Sequence, residues 1–422
     1  MPARLSPILT QATPVVVDHA EGSWIYATDG RRYLDFTTGI GVTSTGHCHP
    51  RVVAAAREQV GKVIHAQYTT VMHTPLLELT EKLGEVLPQG LDSVFYANSG
   101  SEAVEAAIRL ARMSTGRANI VAFQGGFHGR TVAAASVTTA GLRFRSGFGP
   151  LMPGVHVAPF PYALRYGWSV DEAVDFALRE LDHLLQTTTS PADTAAFLIE
   201  PALGDGGYIP TPPRFLRGLR ERADAHDIRL VVDEVQTGVG RTGRFWGHQH
   251  SGVVPDILIT AKGIGSGFPI SAIAAPERVM ATAWPGSQGG TYGGNAVAAA
   301  AACATLDVIR DERLVENAAA MGALLGEGLE RLRTRFPQIA DARGLGLMRA
   351  IELIVDGEPA PALAAAVQRA AVEHGLLTLT CGTRANVVRL IPALVVTADE
   401  IAAGLEALEA AVSDAVAGSV AA

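Results

Sequence analysis

Leu230-Val-Val-Asp-Glu-Val-Gln236 and, beyond a loop, Pro255-Asp-Ile-Leu-Ile-Thr-Ala-Lys-Gly-Ile-Gly-Ser-Gly267 decide the fold of this chain. Each is a short apolar run with no polar face, the pattern of a strand covered on both sides. Each ends on groups that rarely sit in a buried strand: the carboxylates of Asp233 and Glu234, and the amine of Lys262. Buried charge is costly unless paired or used, so these ends carry chemistry. Lysine is scarce: Lys62, Lys82 and Lys262 stand against 31 arginines. Lys62 and Lys82 lie in polar-faced helical stretches, and Glu78 precedes Lys82 at the favourable four-residue spacing. Lys262 sits where an apolar run meets a glycine-rich turn, a setting in which a desolvated amine becomes a nucleophile.

Similar runs are expected at 93–97, 119–123, 155–158 and 195–199, with the two above at 229–235 and 256–260. Helical patterns lie between them, at 171–186 and 213–226. This alternation predicts an α/β fold with a mostly parallel sheet flanked by helices. The pattern changes near residue 310. A long helix is expected over 312–336, strands at 345–353, 376–380 and 387–391, and a final helix with Ile401, Leu405, Leu408, Val412 and Val416 on one face. Thr397 and Glu400 form a capping box for that helix. Strand-like 23–27 and 33–36 flank a turn at 28–30. The expected organisation is a large domain over 46–310 and a smaller α+β domain formed by the N-terminal segment 1–45 and the C-terminal segment 311–422.

The 422 residues are 48% apolar and 18% charged, with net charge −8, as in compact globular chains. No basic run or face points to nucleic acid. The longest uncharged small-residue stretch, 295–306, is too short to span a bilayer, and 1–18 lacks the pattern of a secretion signal. Three cysteines, Cys48, Cys303 and Cys381, argue against a disulfide framework and for a cytoplasmic location. His47-Cys48-His49 has no second ligand cluster to complete a metal site, so none is expected.

Asn98-Ser-Gly-Ser-Glu-Ala103 joins a strand to a helix whose buried face is Val104, Ala107, Ile108 and Ala111. Free amides, a positive dipole end and two hydroxyls suit a phosphate there; a capping box from Ser99 to Glu102 fits the same residues. Gly238-Val-Gly-Arg-Thr-Gly243 matches a dinucleotide-binding string but opens onto Arg-Phe-Trp-Gly-His-Gln-His, not an apolar helix, so its glycines read as loop residues. An amine, an acid able to hold a ring nitrogen protonated and a phosphate cradle together describe pyridoxal phosphate binding.

With these motifs the chain resembles the class III (ω-amino-acid, 4-aminobutyrate type) aminotransferases among the fold-type-I pyridoxal phosphate enzymes. The likeness runs from Leu34-Asp-Phe-Thr-Thr-Gly-Ile40 and Thr45-Gly-His-Cys-His-Pro50 through Phe127-His-Gly-Arg-Thr131, Asp233-Glu-Val-Gln236 and Gly290-Thr-Tyr-Gly-Gly-Asn295 to Val387-Val-Arg-Leu-Ile391. The resemblance implies that the large domain binds the cofactor and that amino groups pass from an amino acid or ω-amino acid to a 2-oxo acid such as 2-oxoglutarate or pyruvate. It implies that Lys262 forms a Schiff base and shuttles the proton, and that Asp233 pairs with the pyridine nitrogen. Phe127 and Val235 would cover the two ring faces, with Gln236 near the ring hydroxyl and Glu200 ordering the polar groups. Ser99, Gly100, Ser101 and His128 would complete the cofactor set, with Thr291 reaching the phosphate from a second subunit of a homodimer. Ile40 would line the substrate pocket, Arg130 would hold a distal carboxylate, and Arg389 an α-carboxylate.

One position departs from the 4-aminobutyrate enzymes. In Glu200-Pro-Ala-Leu-Gly-Asp-Gly-Gly207, Asp205 stands where those enzymes usually carry glutamate, and Leu203 replaces a common glutamine. Racemases and epimerases of the same family carry an aspartate there, 57 residues before the lysine, as Asp205 is from Lys262. The alternative is therefore a racemase using Lys262 and Asp205 as opposed bases.

Overall fold

The computed structural model describes residues 5–420; the ends of the chain, including the start of the stretch read above for a secretion signal, lie outside the described residues. At its centre is a seven-stranded sheet. Its strands are β1 (Ser93–Ala97), β2 (Asn119–Phe123), β3 (Val155–Ala158), β4 (Thr194–Ile199), β5 (Arg229–Asp233), β6 (Ile257–Thr260) and β7 (Ser271–Ala275), in the spatial order β1-β7-β6-β5-β4-β2-β3. The run from β6 to β3 is parallel, and β7 is antiparallel to both its neighbours. All residues of β4, β6 and β7 are buried, which accounts for their unbroken apolar or small character. β7 reads Ser-Ala-Ile-Ala-Ala and was not expected: alanine carries little strand signal.

Helices cover both faces. Gly100–Thr115 packs Val104, Ala107, Ile108 and Ala111 against one, as its spacing predicts. Val170–Thr187 and Pro213–His226 cover the other through Val174, Leu181, Phe215 and Leu219. Because the central strands run one way, Asn98, Phe127, Glu200, Asp233 and Lys262 all follow strand ends on one edge of the sheet. That edge is where open α/β sheets bind ligands.

Beyond the sheet, the expected helix at 312–336 is Leu314–Arg335, preceded by Ala296–Asp311, the small-residue stretch. The expected strand at 345–353 is a hairpin, Ile339–Leu345 with Met348–Val355, turning at Gly346 where φ is +51°. Val387–Leu390 and Leu379–Cys381 extend it into an antiparallel sheet. Leu376–Leu377 pairs instead with Arg32–Asp35, so the N-terminal strands share a sheet with the C-terminal segment. The Thr397–Glu400 capping box forms, and the Glu400 carboxylate also accepts bonds from Ser23 Oγ and Trp24 Nε1 at 3.0 and 2.8 Å. No helix among the described residues is long and apolar enough to cross a membrane.

Candidate active site

A cavity of about 320 Å³ opens at the strand ends. Ser99, Gly100, Ser101, Phe127, His128, Glu200, Asp205, Asp233, Val235, Gln236 and Lys262 line it, together with Val42, Asn98, Ala261 and the segment 267–270. Lys262 opens a single helical turn directly after β6 with φ +47°, a left-handed backbone uncommon outside glycine. Its amine makes no hydrogen bond or ion pair among the described residues. Burial pushes its pKa down, while the nearby Asp205 opposes that shift. The other two lysines are ordinary: Lys62 pairs with Glu58, and Lys82 bonds Asp307 at 2.7 Å, nearer than Glu78 at 3.7 Å.

The two acids of β5 diverge. Asp233 faces the cavity; its Oδ2 lies 2.8 Å from His128 Nδ1, and its Oδ1 accepts the Val235 amide at 3.0 Å. Burial alone would lower the His128 pKa, but Asp233 and then Glu200 hold it above the usual range. Glu234 points away, onto the turn Gly247–His250, where His248 Nδ1, two backbone amides and Thr237 bond it. Burial would raise its pKa, yet the His248 and Thr237 bonds hold it low, as for a structural carboxylate. Glu200, just past β4, accepts the Phe127 and Gly204 amides at 2.8 and 2.9 Å; burial pushes it up to about 7.

At the helix start the capping-box reading of Asn98–Ala103 holds, and the segment lines the cavity. Ser99 and Glu102 exchange the bonds of a capping box, while Gly100 and Ser101 present the first helical amides, which have no intrahelical partner, to the cavity. A Cβ on Gly100 would stand 3.1 Å from Val235 Cγ1, so glycine lets the helix start approach that wall. Gly129, at φ +129°, is closer still: a Cβ there would lie 2.2 Å from Ser101 Oγ.

Asp205 sits in the turn of a small hairpin, Ala202–Leu203 with Ile209–Pro210. The C-terminal sheet holds that turn: Gly382 N–H donates to Asp205 O at 2.8 Å, and Arg343 donates twice to Gly207 O. The same sheet carries Arg389, whose Nη1 is 3.4 Å from Asp205 Oδ1 and whose guanidinium stacks over Tyr208 at 5.8 Å. Arg389 is buried behind Asp205, and its Nε and Nη1 make no hydrogen bond.

Ile40, Arg130 and Thr291 do not line the cavity. Ile40 and Thr291 are exposed, and the Arg130 guanidinium lies over the Phe144 ring at 5.1 Å. Phe144 and Arg143, in the short helical turn Leu142–Phe144, together with Tyr208 and 268–270, border the site without having been anticipated: they lie outside the long regular elements and lack a motif. The glycines of 238–243 are loop residues, with Gly240 and Gly243 at positive φ against Leu394, Val315 and Ala319. His47 and His49 bond separate carboxylates, Asp35 and Glu312.

The cavity fits pyridoxal phosphate. It offers an unpaired amine, an ionisable carboxylate fixed by two partners, a helix N-terminus and the buried Gln236 Oε1, which has no hydrogen-bond partner.

Comparison with known proteins agrees. The class-III aminotransferase family model matches residues 8–412. The chain is 40% identical to the 5-aminovalerate aminotransferase DavT of Pseudomonas putida over 90% of this chain and 89% of that protein. It is 35% identical to an alanine/serine racemase of Pyrococcus horikoshii over 96% and 87%. An amine transaminase from an uncultivated Pseudomonas species, solved with pyridoxal phosphate bound, superposes with a TM-score of 0.91 at 30% identity, covering 98% and 99% of the two chains. The chain belongs to the class-III aminotransferases, a pyridoxal-phosphate-dependent family.

Proposed function

We propose that this enzyme moves the amino group of an ω-amino acid, of the 4-aminobutyrate or 5-aminovalerate kind, to a 2-oxo acid such as 2-oxoglutarate or pyruvate. The observation that carries the reading is the buried Arg389 screened from the Lys262 cavity by Asp205 at 3.4 Å. With Asp205 on it, the guanidinium is neutralised and suits a donor with no carboxylate on its reacting carbon. With Asp205 displaced, it suits the α-carboxylate of a 2-oxo acid, as a two-pronged clamp.

Pyridoxal phosphate, when bound, supplies an aldehyde for amine exchange and a ring that stabilises negative charge on the substrate carbon. Lys262 Nζ would hold the aldehyde and move the proton at the reacting carbon, a task served by its lowered pKa. Asp233, kept in place by His128 and the Val235 amide, holds the ring nitrogen protonated. Gly100 and Ser101 take the phosphate on the helix start, with Ser99 capping it. Phe127 and Val235 would cover the ring and Gln236 would meet its hydroxyl, while Glu200 fixes the Phe127 and Gly204 backbone. Arg130 takes a distal carboxylate. Thr291 completes the phosphate site from the partner in a homodimer, and Ile40, two residues before the cavity-lining Val42, borders the substrate pocket from this chain's N-terminal segment. Exposed apolar Ile40, Ile64, Val71, Met72, Trp284 and Tyr292 support such an association.

A second reading, racemisation, draws on Asp205 lining the same cavity as Lys262 and on the racemase relative. The ion pair to Arg389 disfavours Asp205 as a free base. Incubating the holoenzyme with 5-aminovalerate and no acceptor decides it: amination of the cofactor followed by arrest supports transfer. With alanine, loss of optical activity over many turnovers on an unaminated cofactor supports racemisation. Retention of the covalently held cofactor by Lys262→Ala would refute the central assignment.

A further inference from the structure

Asp205 meets two cations through one oxygen. Arg389 Nη1 stands 3.4 Å from Oδ1 on the buried side, and Arg143 Nη2 stands 3.9 Å from the same Oδ1 on the open side. The Arg389 side chain is 6% exposed and that of Arg143 52%. Arg143 is not adrift: its guanidinium lies on Phe144 at 4.7 Å, and Phe144 packs edge-on against the cavity wall Phe127 at 4.8 Å.

We propose that Arg143 is a positioning residue that strengthens acceptor binding, receiving Asp205 when a substrate carboxylate takes Arg389. The inference rests on Arg389 being the carboxylate clamp. A carboxylate entering that clamp must displace Asp205, and a half-buried aspartate left without a partner is costly. Aspartate has a short side chain and reaches only a cation already beside it. Arg143 is that cation, and it is solvated enough to release Asp205 again when the acceptor leaves.

Arg143→Gln is therefore expected to raise KM for 2-oxoglutarate and for pyruvate by the same factor, about two- to five-fold, the strength of a largely exposed ion pair. KM for 5-aminovalerate, which brings no carboxylate to its reacting carbon, stays unchanged, and Arg143→Lys recovers most of the loss. In an Asp205→Asn background Arg143→Gln adds nothing further. Calorimetric titration of 2-oxoglutarate into Lys262→Ala protein reads the same pattern without turnover. A rise confined to 2-oxoglutarate would overturn the proposal, because Arg143 would then touch the distal carboxylate itself. An effect of Arg143→Gln that persists beside Asp205→Asn would overturn it too. The underlying reading fails separately: it falls if Arg389→Gln leaves KM for both acceptors unaltered.

Discussion

Gly129→Ala tests the phosphate cradle without replacing any residue assigned to it. The new methyl would stand 2.2 Å from Ser101 Oγ, 2.9 Å from Ser101 Cβ and 3.0 Å from Ala134 Cβ. The left-handed φ of +129° adds backbone strain of about 1–3 kcal/mol. Relief comes from swinging the Ser101 hydroxyl by roughly 1 Å, the gap between 2.2 Å and an ordinary contact, which also breaks its bond from the Arg130 amide. Losing one hydrogen bond to a charged phosphate costs about 1.5–3 kcal/mol, or roughly 10- to 100-fold in the cofactor dissociation constant. Equilibrium dialysis of the apo-protein against pyridoxal phosphate measures it, and thermal unfolding of the apo-protein measures the strain. Gly116→Ala is the matched control: φ is +68°, and nothing lies within 4 Å of its Cβ. It is expected to lose about 1–2 kcal/mol of stability at unchanged cofactor affinity. Equal cofactor affinity in the two variants would refute the reasoning, because the Ser101 contact would then carry no weight.

Glu234→Gln should cost about 2–4 kcal/mol of stability in urea unfolding and leave the cofactor dissociation constant alone, since it replaces an acceptor-only group facing several donors away from the cavity. A stability as high as the native protein's would show that those bonds contribute nothing. Glu200, raised to about 7 in the folded chain from its ordinary 4.5, contributes stability that is complete below pH 4.5 and is lost as the pH rises through 7. Over that window the change is on the order of 3 kcal/mol, so the apo-protein should weaken with rising pH more steeply than Glu200→Gln, in which only His128, also held above its usual range, still acts in that direction. Parallel pH profiles of the two proteins would contradict this. His128→Asn should weaken the hold on Asp233 and lower kcat more than KM, because the acid acts on the cofactor ring and not on the substrate; an unchanged kcat would rule that link out.

Much of this was written in the chain as local pattern. Five parallel strands announced themselves as apolar runs, and the residues at their ends carried motifs, so Lys262, Asp233, Glu200 and the Ser99–Ser101 turn came together in one cavity. Elements built from small residues were hidden: β7 is mostly alanine, and the hairpin turn at Gly346 lay inside an apolar run that reads as one strand. The divergence of Asp233 and Glu234 was also invisible, because alternation along a strand end does not say which face holds the histidine partner. Phe144 and Arg143, in a helical turn too short to carry a periodicity, join the site through chain reversals.

The C-terminal sheet grips the Asp205 turn through Gly382 and Arg343 and also carries Arg389, whereas Lys262, Asp233 and the phosphate turn belong to the seven-stranded sheet. On the proposed assignments, reaction chemistry and carboxylate selection are lodged in different pieces of backbone. On the proposed roles, changes in the turns at 204–208 and 382–386 would retune which carboxylates are accepted without altering the strand ends that carry Lys262 and Asp233.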